Sequence, residues 1–352
     1  MTDPTRTPTS GIAYALAAAT LFGLSTPLAK LLVGRTDPVL LAGLLYLGSG
    51  LGLFAWRRVR PARAAEAPLR RPDMPWLAGA VFFGGVLGPA LLMVGLTLSP
   101  AATSALLLNL EGVLTALLAW FVFRENFDRR IALGMAAITA GGLLLSWEGR
   151  PEAGPPWGSF AIAAACLAWA VDNNLTRKVS GGDPTQIAML KGLVAGVVNL
   201  GVALARGAEL PTVPTAVAAA VVGLGGYGVS LTLFVLALRT LGTARTGAYF
   251  SIAPFVGAAV SLALLGDRPT PAFLAAAALM AVGVWLHVTE RHDHEHEHEE
   301  MFHEHLHAHD EHHQHEHGPD DPPGEPHSHP HRHAPMRHSH PHYPDLHHRH
   351  KH

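Results

Sequence analysis

The sequence predicts an all-α polytopic membrane protein of ten transmembrane helices, built as two inverted five-helix repeats and followed by a disordered His-rich C-terminal tail. Three observations lead there. Charged residues make up 15% of the chain, against roughly 25% in ordinary soluble domains. Helix-length apolar runs recur from residue 11 to residue 289, each long enough to cross about 30 Å of hydrocarbon at about 1.5 Å per residue. The runs also repeat: the second half of the chain restates the first.

The spans are expected at 11–33, 38–56, 75–98, 101–123, 131–147, 157–177, 184–205, 214–238, 246–266 and 271–289. This divides the chain into a short N-terminus (1–10), a first repeat (11–147), a second repeat (157–289) and the tail (290–352). The first run, Gly11 to Val33, is too long for a signal-peptide core and nine more follow it, so it reads as helix 1. Cys166 is the only cysteine. It can form no intramolecular disulfide and reads as a small core residue.

Loop charge sets the expected orientation. Alternate connections carry Arg6, then Arg57, Arg58, Arg60, Arg63, Arg70 and Arg71, then Arg124, Arg129 and Arg130, then Arg177 and Lys178, then Arg239 and Arg245; the opposite side has only Arg35, Arg150, Arg206 and Arg268. Both termini are therefore expected in the cytoplasm, with the protein in the cytoplasmic membrane. Five helices per half is an odd number, so the halves must be inverted relative to each other. Inverted repeats bring transport sites to the midplane at the repeat interface.

Small residues and prolines punctuate the spans. Gly48 and Gly52, Gly84 and Gly88, and Gly192 and Gly196 form GxxxG pairs, read as close-packing positions. Pro27, Pro89 and Pro254 each remove a backbone donor and allow a kink.

Residues 98–125, LSPAATSALLLNLEGVLTALLAWFVFRE, run parallel to residues 241–267, LGTARTGAYFSIAPFVGAAVSLALLGD; likewise AAATLFGLSTPLAK of helix 1 matches AAACLAWAVDNNLTRK of helix 6. On these segments the chain resembles the drug/metabolite transporter superfamily, specifically its EamA-type members. The resemblance implies secondary transport, usually export, of amino acids, other metabolites or drugs. It departs from the family at helix 4, where Glu111 stands in the place of a common proline that Pro254 fills in helix 9.

Polar residues inside the spans are costly and face protein or a watery cavity. Helix 6 carries Asp172, Asn173 and Asn174, with Trp169 one turn earlier. Helix 4 carries Glu111 on a stripe with Ser104 and Thr115, while Asn109 points elsewhere. Lys191 on helix 7 lies at a depth comparable to Asp172, so an ion pair is feasible, with Glu111 as a rival partner. Two carboxylates and one lysine leave one acid without a basic partner, free to carry a proton or meet a cation. The competing reading makes these groups structural pairs between helices. Lys30 is expected to snorkel to the outer interface, and His287 to be interfacial.

Neither a Walker A sequence, a hydrolytic motif nor a dinucleotide fingerprint is present in the sequence. The expectation is a non-enzymatic exporter of a small organic solute by alternating access, needing no cofactor for transport and having the lipid bilayer, not nucleic acid, as its surroundings. The alternatives are a divalent metal ion transporter, a non-transporting metal-responsive membrane sensor, or a polytopic enzyme acting on lipid.

The tail holds 23 of the 24 histidines and 13 acids, too polar a composition to bury a core. Its first block offers His292, His294, His296, His298, His303, His305, His307, His309, His312, His313, His315 and His317, alternating with acids; the second offers His327, His329, His331 and His333 among Pro and Arg. Neutral imidazoles suit divalent transition metals, so the tail is expected to bind Zn, Ni, Co or Cu.

Overall fold

The structure is a computed structural model and describes residues 8–59, 69–123, 129–147, 156–179, 182–266, 268–288, 293–298, 301–307, 327–333 and 336–341. Its body is ten helical spans. Helix 1 is Pro8–Val33 and helix 2 is Pro38–Val59. Helix 3 runs as Met74–Ala80, a π-helical segment Val81–Leu87, and Gly88–Leu98. Helix 4 is broken into Ala101–Leu107 and Leu110–Phe123, helix 5 is Arg129–Trp147, helix 6 is Trp157–Val179 and helix 7 is Pro184–Ala205. Helix 8 starts as Val213–Gly223, passes a π-helical segment Leu224–Val229 and enters Ser230–Phe250; helix 9 completes as Ala253–Leu265, and helix 10 is Pro271–Val288.

The segment Ser230–Phe250 is hydrogen-bonded as helix throughout, yet it cannot be straight. The rings of Phe234 and Phe250 lie 4.9 Å apart, whereas sixteen residues of straight helix would separate them by about 24 Å. The chain must double back between them, where the sequence expects the connection between helices 8 and 9.

Local chemistry starts the helices in matching fashion. Asp37 precedes Pro38 and accepts hydrogen bonds from the backbone N–H groups of Val39 and Leu40; Asp183 precedes Pro184 and accepts from Thr185 and Gln186. An Asp cap followed by proline at the first helical position suits a helix N-terminus twice over. It also marks helices 2 and 7 as counterparts.

Helix packing obeys a pseudo-twofold. Helices 2 and 7, 4 and 9, and 5 and 10 pack as pairs of counterparts, while 1–8 is matched by 6–3, 1–9 by 6–4, and 2–8 by 7–3. Gly158 at the start of helix 6 lies against Leu98 and Ser99 at the end of helix 3, so those two run antiparallel. On the 2–7 crossing a methyl group at Gly192 would sit 2.8 Å from the Tyr46 carbonyl oxygen, and one at Gly50 2.8 Å from the Gly192 carbonyl carbon. Only glycine admits backbones that close.

The outer surface is apolar. Leu51, Phe82, Val197 and Val221 are all more than half exposed, which in water would be a broad sticky patch and in a bilayer is the matched surface. Five helices, Gly11–Val33, Pro38–Val59, Arg71–Leu98, Pro184–Ala205 and Val213–Ala237, are long and apolar enough to cross a membrane, with shorter apolar helices beside them. The protein is a multi-pass membrane protein.

The described parts of the tail are four extended segments paired in two antiparallel ribbons, Asp293–His298 with Met336–Pro341 and Met301–His307 with His327–His333. The composition leads one to expect no regular structure there. Two-stranded ribbons are at best marginally stable alone, so this pairing gives the tail backbone ladders without a core. His292, His309, His312, His313, His315 and His317 lie outside the described residues.

Candidate transport site

The site begins with a defect in helix 3. In the π-helical segment the N–H of Gly88 reaches back to Phe83, and residue 89 is a proline with no N–H to give. The carbonyls of Gly84 and Gly85 are thereby released from the ladder. Side chains from three other helices take them: Tyr46 Oη donates to the Gly84 carbonyl at 2.8 Å, Trp169 Nε1 to the same oxygen at 3.0 Å, and Asn199 Nδ2 to that of Gly85 at 3.1 Å. Helices 2, 6 and 7 are thus pinned to one kink.

The GxxxG pair Gly84 and Gly88 has a more particular use than packing. The Asp172 carboxylate occupies the space where a side chain at Gly84 would be, and a methyl group at Gly88 would stand 2.7 Å from Trp169 Nε1. Spacing of four on helix 3 meets spacing of three on helix 6, which puts both side chains on one face. In the other half Gly226 lies against Ser25 in the same manner, so the acid has no charged counterpart across the pseudo-twofold.

Asp172 and Lys191 form a buried ion pair. Lys191 Nζ stands 2.7 Å from each carboxylate oxygen, and Thr176 donates to Asp172 at 2.8 Å. The side chains are 8% and 3% exposed. A charge pair this deep is held by geometry, and losing one partner leaves a stranded charge at a cost of about 3–5 kcal/mol.

Glu111 is placed differently. It opens the second piece of helix 4, just past the break at Leu108 and Asn109, as Pro254 opens the second piece of helix 9 past the break at Ser251 and Ile252. It is half-buried, and among the described residues it receives one hydrogen bond, from Asn173 Nδ2 at 2.7 Å; the same amide lies 3.5 Å from Thr115 Oγ1. Lys191 is bonded to Asp172 and not to Glu111.

Two further polar residues lie apart. Asn174 donates to the Ala170 carbonyl of its own helix. Asn109 donates to the Leu106 carbonyl and lies 3.8 Å from Met280 Sδ on helix 10, with its side-chain oxygen buried and without a partner among the described residues. Lys30 donates to the Leu96 carbonyl and, at 2.8 Å, to that of Ser99, closing the C-terminal end of helix 3.

Aromatic residues that the sequence pattern does not single out complete the site. Phe22 of helix 1 meets Trp169 edge-on at 6.0 Å and Tyr227 at 5.8 Å; Tyr227 meets Tyr46 at 5.1 Å, and Phe250 meets Phe22 at 5.5 Å. The Tyr227 hydroxyl is buried with no hydrogen-bond partner within normal geometry among the described residues. Each of these rings is ordinary in an apolar run, and only the crossing of helices from both halves brings them together. The signal available was Pro89 after a double glycine, which marks the kink they surround.

The sequence matches the EamA-like transporter family over residues 9–147 and again over 156–289. The chain belongs to that family. The two matches coincide with the two halves of the fold, so EamA repeats here are the five-helix units. The chain is 29% identical over 274 residues to an "Uncharacterized transporter" of Methanothermobacter thermautotrophicus, covering 72% of this chain and 78% of that protein. A solved crystal structure shares the fold with a TM-score of 0.61 at 21% identity, over 79% of this chain and 95% of its own. The protein is a membrane transporter of the drug/metabolite transporter type.

Proposed function

We propose that this EamA protein is a secondary exporter of a small organic solute, working by alternating access around the cluster of Glu111, Asn173, Asp172, Lys191 and Trp169. The observation that carries the reading is Glu111, a half-buried carboxylate within the helical bundle, bonded to an amide while the lysine is committed to Asp172. Such an acid must hold a proton or a cation, and exchange between the two couples solute to an ion gradient. The rings of Phe22, Tyr46, Trp169 and Tyr227 come from both halves and close on each other; admitting a solute requires the halves to separate there. Both termini are cytoplasmic in this reading, and the protein sits in the cytoplasmic membrane. Purified protein in liposomes tests it: an imposed pH gradient should drive solute uptake that Glu111→Gln abolishes, and solute binding without movement would make the protein a sensor.

The tail supplies a second, separate function as a metal buffer. The strand register sets His294 opposite His340, His296 opposite His338, His303 opposite His331, His305 opposite His329 and His307 opposite His327. Neutral imidazoles suit Zn²⁺, Ni²⁺, Co²⁺ or Cu²⁺, and this backbone register pairs histidine positions of opposite strands. Calorimetry with these metals on the full chain and on a chain ended at Glu290 should show binding to the first alone; equal binding to both removes the tail's role.

A further inference from the structure

The two Asp-Pro caps are alike in sequence and unlike in their bonds. Asp183 accepts the N–H groups of Thr185 and Gln186 on one carboxylate oxygen and the Arg57 guanidinium of helix 2 on the other, an ion pair that crosses from one half to the other. Asp37 caps helix 2 through one oxygen in the same way. Among the described residues no ion pair reaches its second oxygen.

The register of the helices supplies a cation for it. Helices 2 and 7 run antiparallel, with Gly43 against Leu200, Leu47 against Gly196 and Gly50 against Leu193. Asp37 lies six residues before Gly43, and Arg206, the C-cap of helix 7, six residues after Leu200. Val39 and Leu40 are buried together with Ala203, so the two helices remain in contact towards that end. Arg206 is exposed and, among the described residues, forms no ion pair. Arg35 is also near Asp37 in the chain, but it belongs to the same half and cannot tie the halves together.

The axis that exchanges the halves exchanges the two faces of the membrane as well. It relates the start of helix 7 and the end of helix 2, which are joined, to the start of helix 2 and the end of helix 7, which are not. Rocking of one repeat against the other reverses such a difference. We propose that Arg57–Asp183 and Asp37–Arg206 are alternating ionic latches at opposite faces, the first joined in this conformation, the second joining when the halves rock and the first parts. The latches presuppose the alternating-access reading above and add the device that sets its balance. Between them the helices touch backbone to backbone at Gly50, Gly192 and Gly196, a crossing without interlocked side chains about which the helix ends can tilt. Arg57 is 36% exposed and Asp183 14%, and a pair so placed shifts an equilibrium by only about two- to fivefold. That is enough to favour one face and weak enough to break on every cycle.

The test reads the distance across the face that carries Asp37 and Arg206. With Cys166→Ser removing the single cysteine, nitroxide labels are attached at Gly34→Cys and Leu210→Cys, one in each half; both positions are exposed, and Gly34 has open space around it. Pulsed electron resonance on the full chain in lipid nanodiscs should give two distances, the shorter belonging to the conformation with this face latched. Arg57→Gln and Asp183→Asn should each raise the ratio of shorter to longer by about two- to fivefold, and Arg206→Gln and Asp37→Asn should each lower it by as much. Combining Arg57→Gln with Arg206→Gln should return the ratio to its native value. Asparagine caps a helix as well as aspartate does, so unfolding temperatures should be unchanged and a shift belongs to the charge. Variants at the two faces that move the ratio in the same direction, or not at all, overturn the latches. Two distances that no variant shifts would leave alternating access standing without them, whereas one distance in every variant would overturn both.

Discussion

Asp172 and Glu111 sit on neighbouring helices and have opposite fates because of one lysine. Lys191 reaches both oxygens of Asp172, with Thr176 adding a third bond, which makes that pair a fixed element of the wall. Lys191→Met should therefore destabilise the protein by about 3–5 kcal/mol by stranding Asp172, and adding Asp172→Asn should recover much of the loss. Thermal unfolding of the single and double variants checks this, and additive losses would mean that the pair is not coupled. Glu111→Gln keeps the Asn173 contact in neutral form and should leave the unfolding temperature within a few degrees. The sequence made the inventory of these groups legible, since charges in apolar runs stand out, and it made the ion pair feasible from depth. It did not make the aromatic cluster around Trp169 legible, because Tyr46, Phe22 and Tyr227 look like any other apolar residues until helix crossing brings them together.

At the scale of the helix, the kink in helix 3 is the feature on which the site is hung. Pro89 withholds the N–H that a regular helix would give to Gly85, and the π-helical offset does the same for Gly84. Restoring the donor with Pro89→Ala should let the ladder recapture these carbonyls, at the expense of the bonds from Tyr46, Trp169 and Asn199. We expect slower amide exchange over residues 84–90 together with impaired transport; unchanged exchange would show that the proline does not hold the kink open. Gly84→Ala attacks the same place by sterics, since its methyl group meets the Asp172 carboxylate, and should destabilise by about 1–3 kcal/mol as an overpacked core does. Span positions were readable from hydropathy to within a few residues. The π-helical segments and the breaks in helices 4 and 9 were not, because they arise where a backbone group finds a better partner on another helix, a tertiary effect that local pattern does not carry.

For the whole molecule, the two halves are counterparts in packing and unequal in charge. The main cross-half contacts of helices 1 to 3 have their matches, yet Asp172 and Lys191 both belong to the second half, with Ser25 lying against Gly226 where Asp172 lies against Gly84. Arg57 at the end of helix 2 pairs with Asp183 at the cap of helix 7, so the end of one helix is tied to the start of its counterpart at one face. From the charge bias of the loops we propose that this face is the cytoplasmic one; reporter fusions after Arg71 and after Arg291 should both report the cytoplasm, and a signal from the other side for either would break the inverted arrangement. The account stands most directly on Glu111 as the exchanging group. Its test is the proton movement that accompanies solute entry into liposomes, recorded with a trapped pH indicator for the native protein and for Glu111→Gln. The native protein should move protons opposite to the solute and the variant should move none, whereas full coupled exchange by Glu111→Gln would contradict the account.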